Sequence, residues 1–128
     1  MSDWEARGMR MANYIKSNWI HTDSETIDPK LTQQVFRSEN LMAVRYIYEP
    51  GLEFPEHSHP QEQVTIVRRG ELLFNINGEE VILKTNDICA IPPNVPHSTK
   101  VLSEDGAETL SIFTPLKEKI IIDRRKNG

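Results

Sequence analysis

The sequence predicts an all-β fold with a single domain, built as an antiparallel sandwich or jelly-roll barrel. Eight short segments rich in β-branched and aromatic residues are separated by turn residues, a spacing typical of this class. Asn77-Gly78 joins two of these segments and indicates a hairpin, because a two-residue type I′ turn needs positive φ at both positions. A chain of 128 residues has the usual size of one domain.

The predicted strands lie between residues 33 and 116, which we take as the barrel. They cover residues 35–36, 41–49, 63–69, 71–77, 80–84, 87–91, 98–102 and 108–114. Residues 1–32 lack this pattern and are interpreted as an N-terminal arm. Residues 117–128 combine an isoleucine run with a basic end, which predicts a last edge strand and a basic tail.

Charge and composition exclude several classes of function. The formal net charge of −4 argues against a nucleic-acid partner, whose phosphates require a basic surface. No apolar run approaches the roughly 18 residues that a membrane span needs. The first ten residues lack the apolar core of a signal peptide, and Cys89 is the one cysteine of the chain. Both features predict a cytoplasmic protein.

Three histidines and one glutamine are the candidate metal ligands. His57 and His59 are two residues apart, so on a β-strand both side chains point to one face. Gln63 shares their parity, whereas Glu62 is turned away. His97 follows a rigid proline turn and brings a third imidazole from another strand. The sequence therefore predicts a site for one metal ion with open coordination positions, which is a Lewis acid.

The spacing of these residues resembles the first motif of the cupin family, the small metal-binding β-barrels. That motif is a glycine, five residues, His-x-His, three or four residues, a glutamate, six residues and a glycine. Here it runs from Gly51 through His57, His59 and Gln63 to Gly70, with glutamine in place of glutamate. The resemblance implies a cupin jelly-roll barrel whose ion is held by the three histidines and this glutamine.

The second cupin motif is matched with departures. It runs from a glycine through Pro-x-Gly to a histidine, with an asparagine after three further residues. Four of its places are filled by Asn86, Pro92, Asn94 and His97. Val101 stands where the final asparagine would be. Asparagine visits left-handed backbone conformations, so the two glycine-to-asparagine departures are compatible with the same turns.

The neutral Gln63 favours one kind of chemistry. A neutral ligand leaves a divalent ion more electrophilic toward a carbonyl or enolate oxygen, which favours enolisation, tautomerisation or lyase chemistry. Glutamine here is similar to two cupin subgroups, the pectin-degradation cupins that convert unsaturated uronates and the isomerases of antibiotic biosynthesis. The pectin-degradation group looks closest. It carries Asp and Arg where this chain has Ser111 and Lys117. Lys117 keeps a positive charge for a substrate carboxylate, whereas Ser111 is no comparable base.

Further pocket residues follow from strand parity together with the resemblance. Tyr46 and Tyr48 share a face with Val44, which the resemblance makes the barrel interior. Tyr46 is the candidate proton donor, and the candidate catalytic residues are Tyr46 and Lys117. The expected substrate-binding residues are Tyr48, Thr65, Thr109, Ser111 and Phe113. Cupins commonly dimerise through their N-terminal segments, so we expect a homodimer with the arm packed on the partner.

Three functions stay open. The first is a metal-dependent lyase or isomerase acting on an unsaturated sugar acid or a keto/enol acid. The second is a mononuclear non-haem iron dioxygenase, since three histidines suit iron. The third is a non-catalytic metabolite-binding cupin, although no DNA-binding helix pattern accompanies the barrel. Each would use one divalent transition-metal ion, and imidazole ligands do not distinguish Ni, Fe, Zn, Mn and Co.

Overall fold

A computed structural model describes residues 9–10 and 13–116, which form two antiparallel sheets and a two-stranded ribbon. The strands are β1 Met9–Arg10, β2 Ile15–Lys16, β3 Glu25–Asp28, β4 Leu31–Arg37, β5 Met42–Tyr48, β6 Glu53–His57, β7 Glu62–Arg69, β8 Glu71–Ile76, β9 Glu79–Lys84, β10 Ile88–Ile91, β11 His97–Val101 and β12 Ala107–Thr114. The larger sheet has the order β10-β7-β12-β5-β4-β3, and the smaller sheet has the order β6-β11-β8-β9. The ribbon pairs β1 with β2. This arrangement confirms the predicted all-β jelly roll.

Strands β1, β2, β3 and β6 are absent from the prediction, and β4 begins four residues before its predicted start. Strand β6 contains Pro55 and two glutamates, which disfavour a strand. It lies at the edge of the smaller sheet, where a proline need not donate to a second neighbour. The predicted strand and tail over residues 117–128, including Lys117, lie outside the described residues. No helix in the described part of the chain is long and apolar enough to cross a bilayer.

The hydrophobic core lies between the two sheets. Strands β5 and β12 bury every second residue along their length, the period-two pattern of a strand with one face in the core. Val35, Val44 and Val67 of the larger sheet form one buried cluster with Leu72 and Phe74 of the smaller sheet. Each such side chain stabilises the fold by about 1.5–3 kcal/mol. The candidate histidines lie at strand ends, since β6 ends at His57 and β11 begins at His97.

Asparagines hold the turns that position the site. Asn77 and Gly78 have φ of 51° and 89°, which confirms the predicted hairpin between β8 and β9. Asn86 and Asn94 have φ of 76° and 64° and adopt the left-handed conformation expected at the two substituted glycines. The backbone N–H of Asn94 donates to the carbonyl of His59 at 2.8 Å, so this turn ties the two motifs together.

The described part of the N-terminal arm packs against its own chain. Strand β3 pairs with β4 inside the larger sheet, and Ile27 contacts the chain's own core. Gln34 projects from the outer side of β4, and its Nε2 donates to the carbonyls of Trp19 and Thr22 at 2.8 and 2.7 Å. Trp19 and Ile27 thus have contacts within one chain, and the packing of the arm on a partner stays a prediction.

Candidate metal centre

His57 and His97 face each other across the edge of the smaller sheet. His57 ends β6, His97 begins β11, and the two are direct partners in the antiparallel register. Their ring centroids are 4.3 Å apart, and both residues are buried. The register of two neighbouring strands therefore fixes this pair, which the separation of 40 residues along the sequence does not reveal.

His59 reaches the same point from a loop. We predicted that His57 and His59 lie on one strand, and this prediction is wrong, because β6 ends at His57. The loop nevertheless brings the His59 ring centroid to 5.1 Å from that of His97 and 6.0 Å from that of His57. One ring nitrogen from each of the three histidines lies within 4.8 Å of the others. The predicted convergence occurs, although strand alternation is not its cause.

Backbone carbonyls orient all three rings. Nδ1 lies 2.9 Å from the carbonyl of Pro55 in His57 and 2.9 Å from that of Val95 in His97. In His59 it lies 3.1 Å from the carbonyl of Gln61. A carbonyl only accepts, so each Nδ1 carries the hydrogen and each Nε2 presents its lone pair. This is how metal-binding histidines are commonly oriented.

The buried histidines are poised to bind a cation. Burial, the main cause, lowers the pKa of His57 to about 4 and also lowers the pKa of His97, and the neighbouring imidazoles act in the same direction. Both rings are therefore neutral near pH 7. The Nε2 of His97 is buried without a hydrogen-bond partner, which is costly for a nitrogen with a free lone pair. A metal ion at this nitrogen would remove that cost, so the donor set fits a divalent transition metal.

Gln63, on β7, lies beside the three histidines, and its amide oxygen is placed where a cation would be stabilised. Its Oε1 lies 3.0 Å from Nε2 of His59. A neutral imidazole has one hydrogen, whereas the His59 ring approaches two oxygens, those of Gln61 and Gln63. A metal ion or a second proton between Nε2 and the amide oxygen would make this contact favourable. As predicted from parity, Gln63 is buried whereas Glu62 is exposed.

Two pairs of buried hydroxyls lie on the larger sheet, and one of them is beside Gln63. Thr65 accepts from Nε2 of Gln63 at 2.8 Å and lies 2.8 Å from the hydroxyl of Ser111. The Tyr48 hydroxyl lies 2.9 Å from that of Thr109. Thr65, Thr109 and Ser111 are fully buried. Their hydroxyls bond to neighbouring side chains, and their contact with substrate stays a prediction.

A small cavity lies between the histidines and the core. Its volume is about 30 Å³, room for about one water molecule. It is lined by Leu31, Tyr46, Tyr48, Phe54, His57, Gln63, Phe74, His97, Thr99 and Phe113. Phe113 belongs to this lining and packs its ring 5.5 Å from that of His59. Burial raises the pKa of Tyr46 and raises that of Tyr48 to about 12, so both phenols keep their protons at neutral pH.

Arg37 is a charged residue in the same cross-strand row as Gln63, and it was not among the predicted site residues. It is buried and lies in one cross-strand row with Met42, Phe113 and Gln63. It is the one Lys or Arg among the buried residues that the structure describes, and no Asp or Glu is among them. The alternation of Leu31 and Val35 would have placed Arg37 inside the barrel if the predicted strand had covered the whole of β4.

A family model described as a cupin domain matches residues 44–113, more than half of the chain. The chain belongs to the cupin family. This cupin is similar to an RmlC-like cupin from Shewanella frigidimarina NCIMB 400, with 30% identity and a TM-score of 0.73 over 80% of this chain and 91% of that one. KdgF from Halomonas sp. has the same fold, with 21% identity and a TM-score of 0.73 over 79% of this chain and 93% of that one.

The chain is also similar to part of a transcriptional regulator. The HTH-type transcriptional regulator PuuR of Escherichia coli K12 is 28% identical over 97 residues, which cover 75% of this chain and 52% of PuuR. The chain thus spans about half the length of the curated relatives it matches.

Proposed function

We propose that this cupin is a metal-dependent lyase or isomerase that acts on an unsaturated sugar acid or a keto/enol acid. The observation that carries this proposal is the neutral donor set, three imidazoles and one amide, at the end of a barrel whose described buried residues include no carboxylate. A divalent ion held there keeps its full charge. An anionic substrate would neutralise that charge, and a carboxylate or an enolate is the group best suited to it.

The ligands in this proposal are His57, His59 and His97 through Nε2, and Gln63 through Oε1. A divalent transition metal in this position supplies Lewis acidity toward a carbonyl or enolate oxygen. Ni, Fe, Zn, Mn and Co all accept imidazole ligands, so the donor set alone does not select among them.

Other residues of the chain have proposed roles in binding and proton transfer. Tyr46 lines the cavity with a phenol that stays protonated, so it can donate a hydrogen bond to a substrate oxygen. Phe113 and Tyr48 would form apolar walls. Lys117, from the family resemblance, and Arg37, from its place in the barrel, are the two cations proposed to hold a substrate carboxylate.

The test is solvent-hydrogen exchange. The metal-loaded protein is incubated in D₂O with a panel of 2-keto acids and unsaturated uronates, and deuterium at the carbon next to the carbonyl is followed by NMR. We expect exchange or conversion of at least one acid, and none with His59→Ala. Oxygen uptake without exchange would replace this proposal by the iron dioxygenase.

The amide ligand has its own test, Gln63→Glu. The glutamate should keep the ion bound but lower its Lewis acidity, so exchange of the substrate hydrogen should slow while the metal content stays at one ion per chain. An unchanged exchange rate at full metal content would refute the role that we give to the neutral ligand.

A second candidate function is metabolite binding without turnover, which the match to about half of the regulator PuuR favours. In that case the same neutral site would hold an organic anion as a ligand. Titration calorimetry of the metal-loaded protein with the same acids, followed by recovery of the ligand, separates the two functions. A tightly bound acid that is recovered unchanged and without deuterium would support binding alone.

We also propose a homodimer in the cytoplasm. Ile20 and Ile88 are 89% and 67% exposed, and both are large apolar side chains that an interface would cover. Sedimentation equilibrium would show a species of twice the mass of the chain, and Ile88→Lys should shift it toward the monomer. A monomer at every concentration would refute the dimer.

A further inference from the structure

We propose that Thr65 and Ser111 are positioning residues that turn the Gln63 amide so that its oxygen, and not its NH₂ group, faces the histidines. The inference rests on the metal site proposed above, and it concerns which end of the amide that site presents. The two ends are nearly equal in shape but opposite in chemistry, because the oxygen can bind a cation and the NH₂ group cannot.

The geometry is an unbroken row of side chains that runs from the loop into the larger sheet. His59 Nε2 to Gln63 Oε1 is 3.0 Å, Gln63 Nε2 to Thr65 Oγ1 is 2.8 Å, and Thr65 Oγ1 to Ser111 Oγ is 2.8 Å. Gln63 is 6% exposed, and Thr65 and Ser111 are 0% exposed. Strands β7 and β12 pair Thr65 directly with Ser111, so the register of the sheet fixes the far end of the row.

The numbers of hydrogen-bond donors and acceptors in this row explain how it orients the amide. A hydroxyl has one hydrogen to donate and two lone pairs to accept with. When Thr65 donates its hydrogen to Ser111, the lone pairs that remain can only take a hydrogen from Gln63. The NH₂ end must then point at Thr65, and Oε1 must point at His59. Without Ser111, the Thr65 hydrogen is free to bond to the amide oxygen, and the amide can turn around.

Thr109 provides a matched control inside the same sheet. It is also a threonine with 0% exposure, and it lies on β12 beside β7. Its hydroxyl bonds to Tyr48 and does not contact Gln63. Replacement of either threonine by valine removes one buried hydroxyl at nearly constant shape, but only one of the replacements leaves the Gln63 amide without its partner.

The experiment measures Co²⁺ affinity by competition with a chelator, together with the visible absorption spectrum of the bound ion. We expect Thr65→Val to weaken binding by about 10- to 100-fold, as for other groups that orient a ligand, and to change the spectrum. Thr65→Ser, which keeps the hydroxyl, should restore both. Thr109→Val should resemble the wild type. Ser111→Ala should weaken binding in the same direction as Thr65→Val but less. Wild-type affinity and spectrum in both Thr65→Val and Ser111→Ala would overturn the inference.

A readout without metal completes the test. In the metal-free protein, the side-chain NH₂ signals of Gln63 are identified in a ¹H–¹⁵N spectrum by their loss in Gln63→Glu. We expect Thr65→Val to shift them and to speed their exchange with D₂O, and Thr109→Val to leave them in place. Unshifted signals in Thr65→Val would contradict the positioning role. A wild-type protein that binds no Co²⁺ would instead refute the metal site itself and the proposed function with it.

Discussion

The two sheets contribute to the candidate metal centre in different ways. The smaller sheet brings His57 and His97 together by strand register, and the Nδ1 of each ring bonds to a backbone carbonyl two residues earlier in the chain. The larger sheet contributes Gln63, whose amide is held by a hydroxyl from another side chain. One half of the site thus depends on backbone geometry, and the other half depends on side-chain partners.

This difference predicts how the site responds to substitution. Backbone carbonyls remain when neighbouring side chains change, so the two histidines should keep their orientation in most variants. The Gln63 amide should lose its orientation when either Thr65 or Ser111 loses its hydroxyl. The smaller sheet should therefore decide whether an ion binds, and the larger sheet should tune how strongly it binds.

The largest effect is expected from His97→Ala. This variant removes a buried donor whose Nε2 has no other partner, and it should reduce the metal content from one ion per chain to none after dialysis. Elemental analysis of the purified protein is the measurement. His21→Ala, which removes an exposed histidine, is the control and should keep the ion. Full metal content in His97→Ala would show that the smaller sheet does not decide whether an ion binds.

The second effect concerns the apolar part of the smaller sheet. Phe74 is 2% exposed in the core, so Phe74→Ala should lower the free energy of unfolding by about 3–5 kcal/mol. Urea unfolding of the metal-free protein measures it. Ile82→Ala on the neighbouring strand removes a side chain that is 49% exposed, and it should cost clearly less. Equal losses for the two variants would show that the core does not carry the stability we assign to it.

The third effect is a pH dependence of the metal-free protein. The pKa of His57 is about 4 in the fold and about 6.5 in the unfolded chain, so between these values only the unfolded chain takes up the proton. The stabilisation is complete above about pH 6.5 and is lost as the pH falls toward 4. Urea unfolding at several pH values in this window should show the loss, and His57→Gln should show a smaller one. If the unfolding free energy fell equally with pH in both proteins, the loss of stability would not come from His57.

The smallest effect is expected from Tyr48→Phe on the larger sheet. The variant removes the hydroxyl that bonds to Thr109 and leaves a buried hydroxyl unpaired, which should cost about 1–3 kcal/mol of stability. Its Co²⁺ affinity should stay within about twofold of the wild type, because this pair does not contact Gln63. A large loss of affinity would show that the two hydroxyl pairs act as one unit.

Much of the fold and part of the site could be predicted from local patterns. The hairpin at Asn77-Gly78 and the left-handed turns at Asn86 and Asn94 follow from what single residues allow the backbone to do. The burial of Gln63 and the exposure of Glu62 follow from the period of two along β7, which the structure reproduces. These inferences succeeded because each depends on a few neighbouring residues.

Only the tertiary structure decided which distant residues meet. His59 reaches the site through a loop and not through strand alternation, and Arg37 enters the barrel because β4 is longer than its β-rich segment suggested. Thr65 and Ser111 are 46 residues apart and face each other because β7 and β12 pair in one register. The sequence by itself determined the residue types of the candidate metal centre and the turns. The pairing of strands determined the contacts between side chains, because register is a property of two segments together.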